Sequence, residues 1–164
     1  MKKIIDVSTG EIKVGVNKTL LRSAAIGSCI AIAAYDSNKK VGAMAHIMLP
    51  GSAPEKSLEK TKYAAEAINE MIKKMIDAGS KHCDIEVCLV GGGNVLQKKN
   101  DTICKDNIES TTMLLAKRNI PIRASVLGGT TRKGIFLDIE SGVVIYTEGD
   151  KKEKLLWKYE KRKS

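Results

Sequence analysis

Two apolar runs on either side of a short polar segment constrain the fold of this chain more than any other feature. Residues 29–34 and 41–48 are almost entirely apolar, and residues 35–40 (Tyr-Asp-Ser-Asn-Lys-Lys) are rich in the residue types that form turns. Two runs of this length around such a turn predict an antiparallel β-hairpin. Pro50 and Gly51 follow the second run and end it.

This hairpin brings a cysteine close to a histidine. Pairing Ala34 with Val41 across the turn places Cys29 opposite His46. Opposed side chains in an antiparallel pair point to the same face, with Cβ atoms about 5 Å apart. The register is an assumption, because a shift by one residue would send the two side chains to opposite faces. Since a cysteine nucleophile needs an adjacent base, and histidine is the usual one, the hairpin predicts a reactive pair.

Small residues precede the candidate nucleophile. Gly27 and Ser28 leave room for a substrate to approach, and backbone N–H groups near Cys29 can form an oxyanion hole. A third group usually orients the histidine of such a pair. Ser23 and Ser28 are nearby hydroxyls, and spacing alone does not choose between them. The ordinary alternative is a buried, inert cysteine and a structural histidine.

Hydrophobic periodicity predicts two helices. The first covers residues 59–78 and is ended by Gly79. The second covers residues 105–118, with three residues on its buried face: Ile108, Thr112 and Leu115. A glycine run at residues 91–93 precedes this helix, and it lacks the spacing of a phosphate-binding loop. We therefore expect this run to pack closely against the strand of the candidate site.

The strand pattern predicts the fold class. Strands are expected twice within residues 4–17 and again at 84–90, 122–127, 134–138 and 143–147. Residues 19–28 suit neither a strand nor a helix. With β-rich ends around a helix–strand–helix centre, the order predicts an α+β layered sandwich. We assign residues 1–148 to one domain and residues 149–164 to a basic tail, either an amphipathic helix or disordered.

Composition narrows the location and the partners. The apolar stretches are too short to span a bilayer, and Asp6 interrupts the N-terminal one. We therefore expect a cytoplasmic protein without membrane insertion. The four cysteines lack zinc spacing, so no metal is expected. The net charge of +9 suits an acidic partner. No basic stripe interleaved with aromatics and no helix-turn-helix pattern is present, so nucleic acid is not expected.

The segments around the predicted pair resemble a known family. Ser23-Ala-Ala-Ile-Gly-Ser-Cys29, Tyr35-Asp36 and Gly42-Ala-Met-Ala-His-Ile-Met-Leu-Pro-Gly51 closely resemble the CheD family of chemoreceptor glutamine deamidases. Gly-Ser-Cys together with Ala-His-x-Met-Leu-Pro is the specific part. The resemblance extends over nearly the whole chain to about Thr147, with further matches at Gly91–Gly93, Asn107-Ile108, Gly128-Gly129 and residues 132–136.

The resemblance implies a fold and a reaction. The fold is a layered α/β/β/α sandwich like that of the cytotoxic necrotizing factor toxins. The reaction hydrolyses glutamine side-chain amides to glutamate on cytoplasmic helices of methyl-accepting chemotaxis receptors, without metal or cofactor. Carried over by position, Cys29 is the nucleophile and His46 the general base. Ser23 stands where the family has an orienting threonine, so the hydroxyl is kept and the methyl group is lost.

The resemblance also implies a second partner. Family members bind CheC, a phosphatase of the phosphorylated response regulator CheY, and raise its activity. The alternative function is therefore that of a regulatory binding partner of a CheC-type phosphatase, with little catalysis.

Overall fold

The structure, a computed structural model that describes residues 1–161, contains two five-stranded sheets and two α-helices. The strands in chain order are β1 (Lys3–Asp6), β2 (Ile12–Val16), β3 (Thr19–Ile26), β4 (Ile30–Asp36), β5 (Val41–Ile47), β6 (Glu86–Gly91), β7 (Ile122–Leu127), β8 (Lys133–Asp138), β9 (Val143–Glu148) and β10 (Lys154–Lys158). The helices are α1 (Ala64–Asp77) and α2 (Ile103–Lys117). One sheet has the order β2-β5-β4-β6-β7 and the other β1-β3-β8-β9-β10.

The predicted hairpin is confirmed, but its register is wrong by two residues. β4 and β5 pair antiparallel with Asp36 opposite Val41, so that Ala31 lies opposite His46. The strand is longer than predicted because Tyr35 and Asp36 are buried. The Tyr35 hydroxyl donates to the Ile139 carbonyl at 2.7 Å. Because side chains alternate with a period of two, a shift of two keeps every side chain on its predicted face.

Two hydrophobic cores lie on opposite faces of the β4–β5 pair. Ile30 and Ile32 belong to the core between the first sheet and the helices. Ala31 and Ala33 belong to the core between the two sheets, and Cys29 packs against this second core. The predicted α+β layered sandwich is thus confirmed.

The layers of the described residues run helices, first sheet, second sheet. Both described helices lie on one side: α1 packs against β5 and β2, and α2 packs against α1 and β4. On the second sheet, Arg22, Phe136 and Ile145 are partly exposed. The second helical layer that the resemblance implied is not seen within residues 1–161.

Both predicted helices are confirmed, but the start of α1 is displaced by five residues and the predicted buried face of α2 is partly wrong. Helix α1 begins at Ala64 instead of residue 59, because Lys60–Lys62 form a 3-10 helix that ends at an extended Tyr63. Its C-terminal end agrees, and Gly79 adopts a positive φ of 110° there. Helix α2 begins two residues before its predicted start at residue 105 and ends one residue before its predicted end at residue 118.

The predicted buried face of α2 is wrong at Thr112, which is exposed. Two polar residues, Asn107 and Thr111, occupy buried positions on this helix together with Cys104 and Leu115. The buried face therefore passes through Thr111 instead of Thr112. A pattern of apolar residues does not indicate this, because Asn107 and Thr111 are polar.

Two strands were not predicted. Residues 19–26 form β3, which pairs with β1 on one side and β8 on the other. The expectation of a helix or disorder in the tail is wrong for Lys154–Lys158, which form β10 and pair antiparallel with β9. Residues 162–164 of the predicted tail lie outside the described residues. Neither helix within residues 1–161 is long and apolar enough to cross a membrane.

Tyr159, directly after β10, holds the tail against the body. Its side chain is 4% exposed, its ring stacks on Tyr35 with 5.2 Å between centroids, and its hydroxyl donates to the Ala33 carbonyl at 2.9 Å. The tail is therefore part of the folded unit up to this residue.

We expect Tyr159→Ala to lower the free energy of unfolding by about 3–5 kcal/mol, because it empties a large buried site. Tyr159→Phe removes only the hydroxyl and is expected to cost about 1 kcal/mol. The measurement is urea denaturation followed by circular dichroism. Leu155→Ala, at a side chain 65% exposed, is the control and should change little. Equal effects of Tyr159→Ala and Leu155→Ala would contradict the packing of the tail.

Candidate active site

The three predicted catalytic residues lie on neighbouring segments of the two sheets. Cys29 stands directly before β4, His46 lies in β5, and Ser23 lies in β3 of the second sheet. Ser23 and His46 are 2% and 7% exposed, and Cys29 is half-buried. Since Ala31 opposes His46 and Cys29 packs against the same core as Ala31, the thiol and the imidazole share the face between the sheets.

One backbone carbonyl, that of Val7, connects His46 with Ser23. The Ser23 hydroxyl donates to this oxygen at 2.7 Å, and Nδ1 of His46 lies 3.2 Å from it. A carbonyl oxygen only accepts, so this contact assigns the imidazole proton to Nδ1 and leaves Nε2 free to accept a proton. Ser23 thus donates to the group that orients the imidazole.

The position of Val7 follows from the pairing of β1 with β3. The two strands are parallel, with Asp6 beside Arg22. The Val7 N–H continues the ladder by donating to the Arg22 carbonyl at 2.8 Å. The Val7 carbonyl is thereby placed next to Ser23.

The segment after Val7 contacts both members of the predicted pair. The Gly10 N–H donates to the His46 carbonyl at 2.8 Å, and the His46 N–H donates to the Glu11 carbonyl at 3.1 Å. The Thr9 hydroxyl is hydrogen-bonded to the Cys29 thiol. Sequence reasoning missed Val7 and Thr9. The only local signal was the turn at Gly10, and no short-range pattern connects it to residues 29 or 46.

Burial keeps both members of the pair neutral. It raises the pKa of the Cys29 thiol, and the hydrogen bond from Thr9 opposes this only in part. Burial also lowers the pKa of His46, against the opposing effects of the Val7 carbonyl and the charge of Glu11. The site at neutral pH therefore holds a thiol and a neutral imidazole, and a proton must move when the sulfur reacts.

The glycine run packs against the backbone of Cys29, as predicted. Gly92 N–H donates to the Cys29 carbonyl at 2.9 Å, and Gly93 N–H donates to the Gly27 carbonyl at 2.9 Å. A Cβ atom on Gly91 would lie 2.1 Å from the Cys29 carbonyl oxygen, and Gly91 has a φ of +135°. Only glycine permits this close approach.

Cys29 opens on a cleft of about 340 Å³, with Gly27 and Ser28 in its wall. Two cations, Lys98 and Arg132, and one anion, Asp101, also line the cleft. Its size suits a side chain with its flanking backbone. A larger cleft of about 650 Å³ lies near the turn between β4 and β5, and neither cysteine nor histidine lines it.

The other cysteines do not fit a nucleophile. Burial raises the pKa of both Cys88 and Cys104 to about 11. Cys104 lines the same cleft as Cys29, but it lies on α2 and its thiol donates to the Gly93 carbonyl at 3.3 Å, whereas Cys29 shares a face with His46. Cys83 is exposed, away from this cleft, beside Ala116 and Asn119.

The chain is similar to known proteins of one family. The family model described as CheD chemotactic sensory transduction matches residues 48–148. A probable chemoreceptor glutamine deamidase CheD from Chlorobium luteolum is 38% identical over 152 residues, which cover 92% of this chain and 76% of the relative. The chemoreceptor glutamine deamidase CheD of Thermotoga maritima is 32% identical over 145 residues, covering 88% of this chain and 90% of the relative.

Among solved structures, the Bacillus licheniformis hypothetical protein YfiH is 15% identical, with a TM-score of 0.45, over 78% of this chain and 59% of its own. The fold class therefore rests on the strands and helices described above. The family model matches more than half of the chain, and the relatives are similar along most of their length, which confirms the resemblance predicted from the sequence. This chain belongs to the CheD family.

Proposed function

We propose that this protein hydrolyses glutamine side-chain amides of chemoreceptors, with the Cys29 thiol as nucleophile and His46 as general base. One observation carries the proposal: Cys29, which lines the cleft with Gly27 and Ser28, shares a face with a buried histidine of the adjacent strand. The substrate class comes from the relatives, which are named chemoreceptor glutamine deamidases.

The proposed reaction begins with proton transfer. Nε2 of His46 accepts the thiol proton, and the sulfur attacks the amide carbon of the glutamine. The electron pair of the C=O bond moves to the oxygen. In the proposal, backbone N–H groups near Gly27 and Ser28, which line the same cleft as Cys29, stabilise this oxyanion.

Collapse of this intermediate releases ammonia. The imidazolium of His46 gives its proton to the leaving nitrogen, the C–N bond breaks, and a thioester remains on Cys29. Water then loses a proton to His46 and attacks the thioester carbon. The C–S bond breaks, the thiol is restored, and glutamate is the product. The steps consume one water per ammonia released and need neither metal nor cofactor.

The charges around the cleft favour an acidic partner. Lys98 and Arg132 exceed Asp101 by one charge, within a chain of net charge +9. We assign the substrate to the cytoplasmic helices of methyl-accepting chemotaxis proteins, and the role to adaptation in the cytoplasm. Regulation of a CheC-type phosphatase by binding is the alternative. Wild-type protein that binds such a phosphatase and converts no glutamine would favour that alternative.

We expect Cys29→Ala to lower the deamidation rate by about 10⁴-fold or more, because it removes the nucleophile. The measurement is peptide mass spectrometry of a receptor cytoplasmic fragment, in which each converted glutamine gains the mass difference between an amide and an acid. Cys104→Ala, in the same cleft, is the matched control and should keep activity within a few-fold. Unchanged conversion by Cys29→Ala would refute the assignment of the nucleophile.

The pH dependence of kcat/KM tests whether His46 is the general base. The base must be neutral to act, so activity falls as pH decreases through the pKa of His46. Because burial lowers this pKa, the midpoint of the acid limb of kcat/KM is expected below the ordinary imidazole value of 6.5. A midpoint above that value, or an unchanged acid limb in His46→Gln, would show that another group is the base.

Variants of Ser23 test whether its hydrogen bond to the Val7 carbonyl helps to orient the imidazole of His46. We expect Ser23→Ala to lower kcat about tenfold, which corresponds to ~1.4 kcal/mol, because the Val7 carbonyl loses its second partner. Ser23→Thr keeps the hydroxyl and should retain activity. The two variants are compared by steady-state kinetics at saturating substrate. Equal kcat values for Ser23→Ala and wild type would remove Ser23 from the site.

A further inference from the structure

We propose that Asn107 is a positioning residue for the Cys29–His46 pair, because its buried amide fixes the distance between the two segments that carry the pair. The inference rests on the proposed function and names a residue that acts through the backbone of the site. Asn107 lies on α2, outside both sheets, and is fully buried.

The amide of Asn107 bonds to a carbonyl on each segment. Nδ2 donates to the Ser28 carbonyl at 2.9 Å and to the Met48 carbonyl at 3.0 Å. Ser28 immediately precedes the proposed nucleophile, and Met48 stands two residues after the proposed base. Both hydrogens of one NH₂ group are therefore used to hold two different segments.

These two carbonyls lie where the ladder of the hairpin has ended. The last pair of β4 and β5 is Ile30 with Ile47. Beyond this pair, within residues 1–161, no backbone hydrogen bond joins the two segments directly. Cys29 stands in this unpaired region, so its distance from β5 depends on other contacts. Asn107 supplies a direct link.

Helix α2 can approach this closely because of the glycine run. A Cβ atom on Gly92 would lie 2.6 Å from Cγ1 of Ile108, the residue after Asn107. Gly92 also donates to the Cys29 carbonyl. The same close contact thus brings α2 against the segment of the nucleophile.

The chemistry at this position favours a role in placement. Within residues 1–161, Oδ1 of Asn107 is buried without a hydrogen-bond partner, which is unfavourable for folding. An apolar side chain would avoid this cost but could not hold the two carbonyls. Among side chains of this size, only an uncharged amide donates two hydrogens from one atom. Errors of about 1 Å in reactive geometry can reduce rates about 100-fold.

The test compares Asn107→Leu with Thr111→Val. Thr111 lies one turn later on α2, is equally buried, and its hydroxyl also has no partner among the described residues. We expect Asn107→Leu to lower kcat about 100-fold with KM changed less than about threefold. Thr111→Val should keep the wild-type kcat. Both variants are assayed below their melting temperatures. If Asn107→Leu does not fold, Asn107→Ser is used in its place, because the smaller side chain leaves room for water.

A second readout does not depend on deamidation. The rate at which iodoacetamide alkylates Cys29 is measured against pH by peptide mass spectrometry, for wild type, His46→Ala and Asn107→Leu. We expect the Asn107→Leu profile to move toward that of His46→Ala, because the thiol loses its aligned base. If wild type converts no glutamine, the proposed function fails while this profile still decides the role of Asn107.

Two results would overturn the inference. One is an Asn107 variant with the kcat and the alkylation profile of wild type. The other is a loss of kcat that Thr111→Val reproduces at equal loss of stability, since that result would reduce Asn107 to a structural residue.

Discussion

The hydrogen-bonded pairing of β4 with β5 is the interaction on which the rest of the structure depends. Both strands are buried along their whole length, because the helices cover one face of their sheet and the second sheet covers the other. A shift of one residue would exchange these faces and turn His46 toward the helices. The two cores therefore determine on which side of the sheet the candidate site lies.

The site forms where this ladder stops, and groups from outside the hairpin satisfy its backbone. The Ser28 and Met48 carbonyls accept from Asn107, and the Cys29 carbonyl accepts from Gly92. The His46 carbonyl accepts from Gly10. Buried backbone groups need such partners at the end of any ladder. Here each partner bonds to Cys29, to His46 or to a residue within two positions of one of them.

Two cations and one anion line the cleft, whereas the proposed reactive groups are neutral. Burial opposes charge on Cys29 and on His46, so a preformed thiolate–imidazolium pair is unfavourable before substrate binds. The charges of Lys98, Arg132 and Asp101 lie on the wall of the cleft. In the proposed reaction, proton transfer falls to His46, which does not line this cleft, and recognition of an acidic partner falls to Lys98 and Arg132, which do.

The sequence by itself determined the hairpin, both helices, the strands β1, β2 and β6 to β9, and the shared face of Cys29 and His46. The helices follow from a local period, and the hairpin and β6 follow from apolar runs, because these strands are buried on both faces. The alternation of side chains tolerates the register error of two residues. Tertiary contacts decided the rest. Tyr35 belongs to β4 because its hydroxyl bonds to the Ile139 carbonyl. Strand β3 is stabilised by pairing with β1 on one side and β8 on the other. Strand β10 forms because it pairs with the edge of β9. The imidazole is oriented by the carbonyl of Val7, a backbone atom that every residue type carries, so no side-chain pattern could reveal it.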